Sequence, residues 1–134
     1  FSLISLMVGF EDIGIFSLIL VGSLLGFLIY NTHPAKVFMG DTGSLALGAA
    51  MGAIGILTHR ELTLLVVAGI FVIETLSVII QTFWVQVFHK RLFLMTPIHH
   101  HFEKLGWQET DIVKLFWVCG LILSMAGIIF GVWL

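Results

Sequence analysis

The sequence predicts an all-α, polytopic transmembrane helical bundle, and three observations carry that prediction. Hydrophobic residues make up 59% of the chain and charged residues only 10%, against about 25% charged in soluble domains. Mean hydropathy is +1.12. The apolar residues are gathered into four long runs, and a backbone that crosses hydrocarbon in such runs must satisfy its own hydrogen bonds as helix.

The first ten residues read as the tail of a preceding helix, so the sequence is expected to be a C-terminal portion of a longer protein. Residues 13–30 form the first complete span: about 18 residues at about 1.5 Å each approach the hydrocarbon thickness. Residues 43–57 form a shorter, small-residue span with Ser44, Gly48 and Gly52 at four-residue spacing. That pattern lets helices approach closely and predicts burial among other helices. Residues 62–87, about 26 in number, are too many for an upright crossing, which predicts a tilt, a kink or an early exit. Residues 111–134 form the last span, with Gly127 and Gly131 paired as Gly22 and Gly26 are in the first. All four spans are expected to belong to one domain, joined by loops over 31–42 and 88–110.

Lys36, Lys90, Arg91, Lys104 and Lys114 fall in or beside these two loops, whereas Arg60 falls on the opposite side. Positive residues are retained in the cytoplasm, so both loops are expected on the cytoplasmic face, sharing one surface. The net charge of −2 offers no clustered basic face for nucleic acid. Cys119 is the only cysteine and lies in an apolar run, which excludes an internal disulfide and a cysteine zinc cluster.

Two segments can carry chemistry. The first is the polar, glycine-rich stretch 31–44, where Asp41 stands at the mouth of a span. Two roles are open to it. An Asp at that place can cap the helix; flanked by Gly40 and Gly43, it can equally hold a Mg²⁺ ion that bridges to a phosphate. The second segment is 96–103, in which Thr96 and Pro97 precede His99, His100 and His101. Successive residues diverge by about 100° on a helix, so the three histidines cannot converge on one tetrahedral zinc ion. Hydrogen bonding to phosphate, acid–base work and an interfacial structural role all remain open to them. Between these segments, Glu74, Ser77 and Gln81 share one face of the third span, with Thr75 and Thr82 beside it, and that face must turn from lipid. Interhelical hydrogen bonding is the simplest use of Glu74 there.

The stretch 31–48 (NTHPAKVFMGDTGSLALG), followed by 97–103 (PIHHHFE) and Gly106-Trp107, resembles the phospho-N-acetylmuramoyl-pentapeptide transferase family. That family sits among the glycosyltransferase family 4 enzymes, which transfer sugar 1-phosphates to polyprenyl phosphates. The resemblance covers essentially the whole chain and implies a fold of ten transmembrane helices in the bacterial inner membrane, working from the cytoplasmic face. It further implies transfer of phospho-MurNAc-pentapeptide from UDP-MurNAc-pentapeptide to undecaprenyl phosphate, giving lipid I and UMP in peptidoglycan synthesis, with Mg²⁺ as cofactor. A homodimer is compatible with it.

By resemblance, Asp41 matches the metal-binding aspartate, and Asn31, Phe38, Gly40 and Ser44 belong to the nucleotide-sugar site, with Phe38 near the uracil. Gln81, Thr96 and the three histidines would line the same cleft, at least one histidine being catalytic. The family's paired aspartates and its nucleotide-contacting lysine belong to earlier loops that the sequence does not contain, so the stretch by itself is expected to be inactive. Two other readings compete: a sibling transferase acting on UDP-N-acetylglucosamine, and a membrane transporter. The uninterrupted PIHHHFE run favours the MurNAc-pentapeptide enzyme over the sibling. The gathering of polar groups at span ends rather than at the midplane disfavours the transporter.

Overall fold

The computed structural model describes residues 1–133, and all of their regular structure is helical. Seven helices follow one another: α1 (Ser2–Val8), α2 (Glu11–Asn31), α3 (Gly40–Leu57), α4 (Glu61–Val67), α5 (Gly69–Phe88), α6 (Ile98–Lys104) and α7 (Glu109–Trp133). Four of them, α2, α3, α5 and α7, are long and apolar enough to cross a membrane. Large apolar side chains stand open along them: Ile29 is 74% exposed, Phe71 69% and Leu121 66%. Surfaces of that kind are stable against hydrocarbon rather than water.

The residues group into two units, 1–64 with 126–134 and 65–125. In the first unit α1 ends at Gly9, whose φ of 94° turns the chain back so that the Phe10 N–H reaches the Ser5 carbonyl at 2.8 Å. Glycine adopts this left-handed backbone without strain. The turn lays α1 along α2, and Gly14 admits Leu6 so closely that a Cβ there would stand 2.7 Å from its side chain. Glu11 and Asp12 occupy the first turn of α2, where the helix dipole favours negative charge. Gly131 lies against Ile4 and Thr63, and a Cβ in its place would meet them at 2.8 and 3.0 Å.

Two boundaries differ from expectation. Helix α3 begins at Gly40 rather than Gly43, because Gly40 takes a φ of 66° and lets the helix start one turn earlier. Within α3, Ile54 and Gly55 are the buried residues, and added Cβ atoms at Gly48 and Gly52 would meet nothing within 4 Å among the described residues, so the neighbours that the small-residue stripe admits are not supplied by this stretch. The same holds for Gly22 and Gly26 on α2. Secondly, 88–110 is not all loop, since α6 lies within it.

In the second unit the overlong third run is broken at Ala68, which separates α4 from α5. Gly69, just after the break, admits Leu123, with a Cβ there 2.9 Å from the leucine side chain. Helix α6 has seven residues, too few to be stable alone, so tertiary contacts must hold it.

Candidate functional site

In the first unit the 31–44 stretch is tied at its base. The last residue of α2, Asn31, donates its Nδ2 hydrogen to the Val37 carbonyl at 2.9 Å, while the Lys36 N–H donates to the Tyr30 carbonyl at 2.8 Å. These two bonds fold the loop over the end of α2. Phe38, next along, is 79% exposed. Burial does not account for that ring, which is free to offer a face to a planar ligand.

Met39 is the cap residue of α3 and makes no side-chain cap bond, which places Asp41 inside the first turn. The capping role for Asp41 is thereby overturned. Its carboxylate is exposed, and the local hydrogen bond runs instead from the Ser44 hydroxyl to the Asp41 backbone carbonyl at 3.1 Å. Lying in the first turn, the carboxylate gains from the helix dipole and stays available to a ligand.

In the second unit Gln81 organises the segment that leads to α6. Its Nε2 donates to the Phe93 carbonyl at 3.1 Å, and its Oε1 accepts from the N–H groups of Leu92 and Phe93 at 3.1 and 2.9 Å. One buried amide therefore holds three backbone groups of the connection. The resemblance implies a substrate contact for Gln81; the geometry gives it the further task of fixing the loop.

The three histidines project from α6 to different partners, as a 100° spacing requires. His99 Nδ1 lies 3.1 Å from Glu74 Oε2 on α5. His100 Nδ1 lies 2.7 Å from Glu103 Oε2 on its own helix. His101 Nδ1 accepts the Leu94 N–H at 3.2 Å, and its ring meets Phe93 edge-on at 5.9 Å. The rings of His99 and His100 stand 4.1 Å apart.

Beside this helix, Gln81, Thr82, Gln86, Arg91, Thr96 and Lys104, with apolar Val85, Leu94 and Met95, line a cavity of about 670 Å³. Its polar walls and two cations suit an anionic group, and its apolar walls suit a hydrocarbon stem.

Sequence reasoning missed Arg91 and Lys104 as members of this region and gave Glu103, within the 96–103 segment, no partner. The His100–Glu103 pair was legible as an i, i+3 spacing once a helix is drawn there. The two cations served only to assign sidedness, because the loop that brings them to one cavity is shaped by Gln81.

Comparison with known proteins agrees with the residues. A family model described as "Glycosyl transferase family 4" matches residues 1–59. A phospho-N-acetylmuramoyl-pentapeptide-transferase of Shouchella clausii is 54% identical over 134 residues, all of this chain and 41% of that protein. Its namesake in Geobacillus thermodenitrificans is 55% identical over 126 residues, covering 94% of this chain and 39% of the relative. In Bacillus subtilis the protein of the same name is 55% identical over 123 residues, 92% of this chain and 38% of the relative. The chain thus spans about two fifths of the length of the curated relatives it matches. Across the whole stretch, the 31–44 loop and the histidine helix included, the chain is thus similar to about two fifths of phospho-N-acetylmuramoyl-pentapeptide-transferases, and its first 59 residues match glycosyl transferase family 4.

Proposed function

We propose that the protein containing this chain transfers phospho-MurNAc-pentapeptide from UDP-MurNAc-pentapeptide to undecaprenyl phosphate, releasing UMP and forming lipid I at the cytoplasmic face of the bacterial inner membrane. The single observation that carries the reading is the identity of 54% over the whole chain to a transferase of that name. The exposed Asp41 carboxylate, the open Phe38 ring and the cationic cavity beside α6 support it. The cytoplasmic face follows from the side to which Lys36, Lys90, Arg91, Lys104 and Lys114 fall.

The residues present fit a Mg²⁺ ion of the kind that bridges protein and substrate. Asp41 offers one uncommitted carboxylate, and no group of three or more His, Cys, Asp or Glu side chains that could hold a metal exists among the described residues. Mg²⁺ is usually held by one or two carboxylates, with phosphates and waters completing the shell. When bound, the ion supplies charge neutralisation for a pyrophosphate and its departing UMP.

The chain's own residues then have distinct work. Asp41 would hold the ion. Phe38 stacks against the nucleobase, and Asn31, through Val37, holds the turn on which Phe38 sits. Gly40 and Ser44 shape the first turn of α3 around Asp41. Gln81 fixes the connection that carries Arg91 and Thr96 to the cavity, where Arg91 and Lys104 balance negative charge on the substrates. The histidines of α6 give or take protons and hydrogen bonds at phosphate oxygens.

The full-length protein in detergent or bilayer tests the reading: UMP release is expected only when both substrates are present, to cease on chelation and to return with added Mg²⁺. Release of UMP without the lipid acceptor, or undiminished transfer after chelation, contradicts it.

A further inference from the structure

The polar face of α5 carries one titratable group to which the transfer reading gives no task. Glu74 has a side chain 17% exposed, and its Oε2 lies 3.1 Å from Nδ1 of His99, which is itself 37% exposed. The other oxygen, Oε1, is buried with no hydrogen-bond partner among the described residues.

An ionised carboxylate can only accept hydrogen bonds, so this contact requires the proton on Nδ1 of His99. In the neutral ring Nε2 is then the free acceptor. The neighbouring histidines are held otherwise. His101 Nδ1 accepts the Leu94 N–H, which puts the proton of its neutral ring on Nε2. His100 faces Glu103 within α6, a carboxylate 35% exposed. Glu74 is therefore the carboxylate that reaches the histidine run from another helix.

Stability is a poor explanation for it. A carboxylate within a membrane-spanning helix carries a desolvation cost, and one orphaned oxygen leaves that cost only partly offset. An apolar side chain of similar shape would fill the place without it.

We propose that Glu74 is the positioning residue that keeps the His99 proton at Nδ1 and so presents Nε2 as the acceptor toward substrate. The inference rests on the transferase reading above. A proton taken at Nε2 makes His99 an imidazolium, and the adjacent Glu74 carboxylate offsets its charge.

The test uses Glu74→Gln, Glu74→Asp, His99→Ala and the Glu74→Gln/His99→Ala double variant in the full-length transferase. Glu74→Gln keeps the shape, but its amide can accept from or donate to Nδ1, so the tautomer is released. A kcat loss of about 10- to 100-fold is expected, the scale of partners that orient a functional imidazole. KM should stay within about threefold, as for a group acting in the transition state. Glu74→Asp should recover part of the loss, and Glu74→Gln should cost nothing further once His99 is Ala. ¹⁵N spectra of labelled histidine should show His99 protonated at Nδ1 in the parent and mixed in Glu74→Gln.

Full activity in Glu74→Gln, an equal loss in the His99→Ala background, or an unchanged His99 tautomer overturns the proposal. A parent protein that forms no lipid I at all instead overturns the transferase reading, while the ¹⁵N spectra still report on the Glu74–His99 pair.

Discussion

On the proposed function, Asp41→Asn in the full-length protein is expected to lower transfer by about 10³-fold or more. In the proposed metal role the carboxylate would command several kcal/mol of charge stabilisation, and each 1.36 kcal/mol is tenfold in rate. The protein should nevertheless insert and melt as the parent does. The reason lies in the first turn of α3: Asp41 is not the cap of the helix, its carboxylate is exposed, and the local bond from Ser44 goes to its backbone carbonyl. Asn keeps the size and loses the charge. The checking measurements are lipid I formation across a Mg²⁺ titration and a melting curve in the same detergent. Activity near the parent level would remove Asp41 from the metal site, and a collapse of the melting curve would return it to a structural role.

The second large effect concerns Gln81. Gln81→Leu strips partners from the Leu92 N–H, the Phe93 N–H and the Phe93 carbonyl together. Unpaired buried polar groups cost about 1–3 kcal/mol each. Leu92 is exposed and Phe93 half-buried, so water recovers part of that and the lower end applies. Even so, a loss of about 2–4 kcal/mol is concentrated in one connection, enough to free it from α5 and to loosen the short helix behind it. Hydrogen exchange over residues 90–104 should quicken by about 10-fold or more while α7 keeps its protection. Transfer should fall with it, because Arg91 and Thr96 are delivered to the cavity by this connection. Gln81→Glu should be intermediate, since its carboxylate still accepts both N–H groups but opposes the Phe93 carbonyl. Parent-like exchange in Gln81→Leu would show that the loop needs no clamp.

What could be read from the amino acids alone depended on the range of the forces involved. The four spans were legible because lipid solvation acts on every residue of a run; the length of the third showed that it could not cross upright, while tilt, kink and early exit stayed open until the break at Ala68 was seen. The resemblance of the Asp41 and histidine segments to the transferase family was legible because residue order survives in any fold. The first turn of α3 was misjudged by three residues, since Gly40 has a backbone option that Asp41, read as a cap, seemed to make unnecessary. Helix α6 escaped notice for another reason. Its seven residues, with three histidines in sequence, carry no apolar period, and Glu74 on α5 and the backbone N–H of Leu94 hold it. The stripe of small residues on α3 states that a neighbour can approach, not which part of a protein supplies it.

The measurement that bears most directly on the account is a competition assay with the full-length protein, undecaprenyl phosphate and Mg²⁺, offering UDP-MurNAc-pentapeptide and UDP-N-acetylglucosamine together. Lipid I is expected as the product, with one UMP released per molecule formed and the N-acetylglucosamine donor left untouched. Transfer of N-acetylglucosamine phosphate in its place, or passage of solute across the bilayer without any transfer, would contradict the assignment.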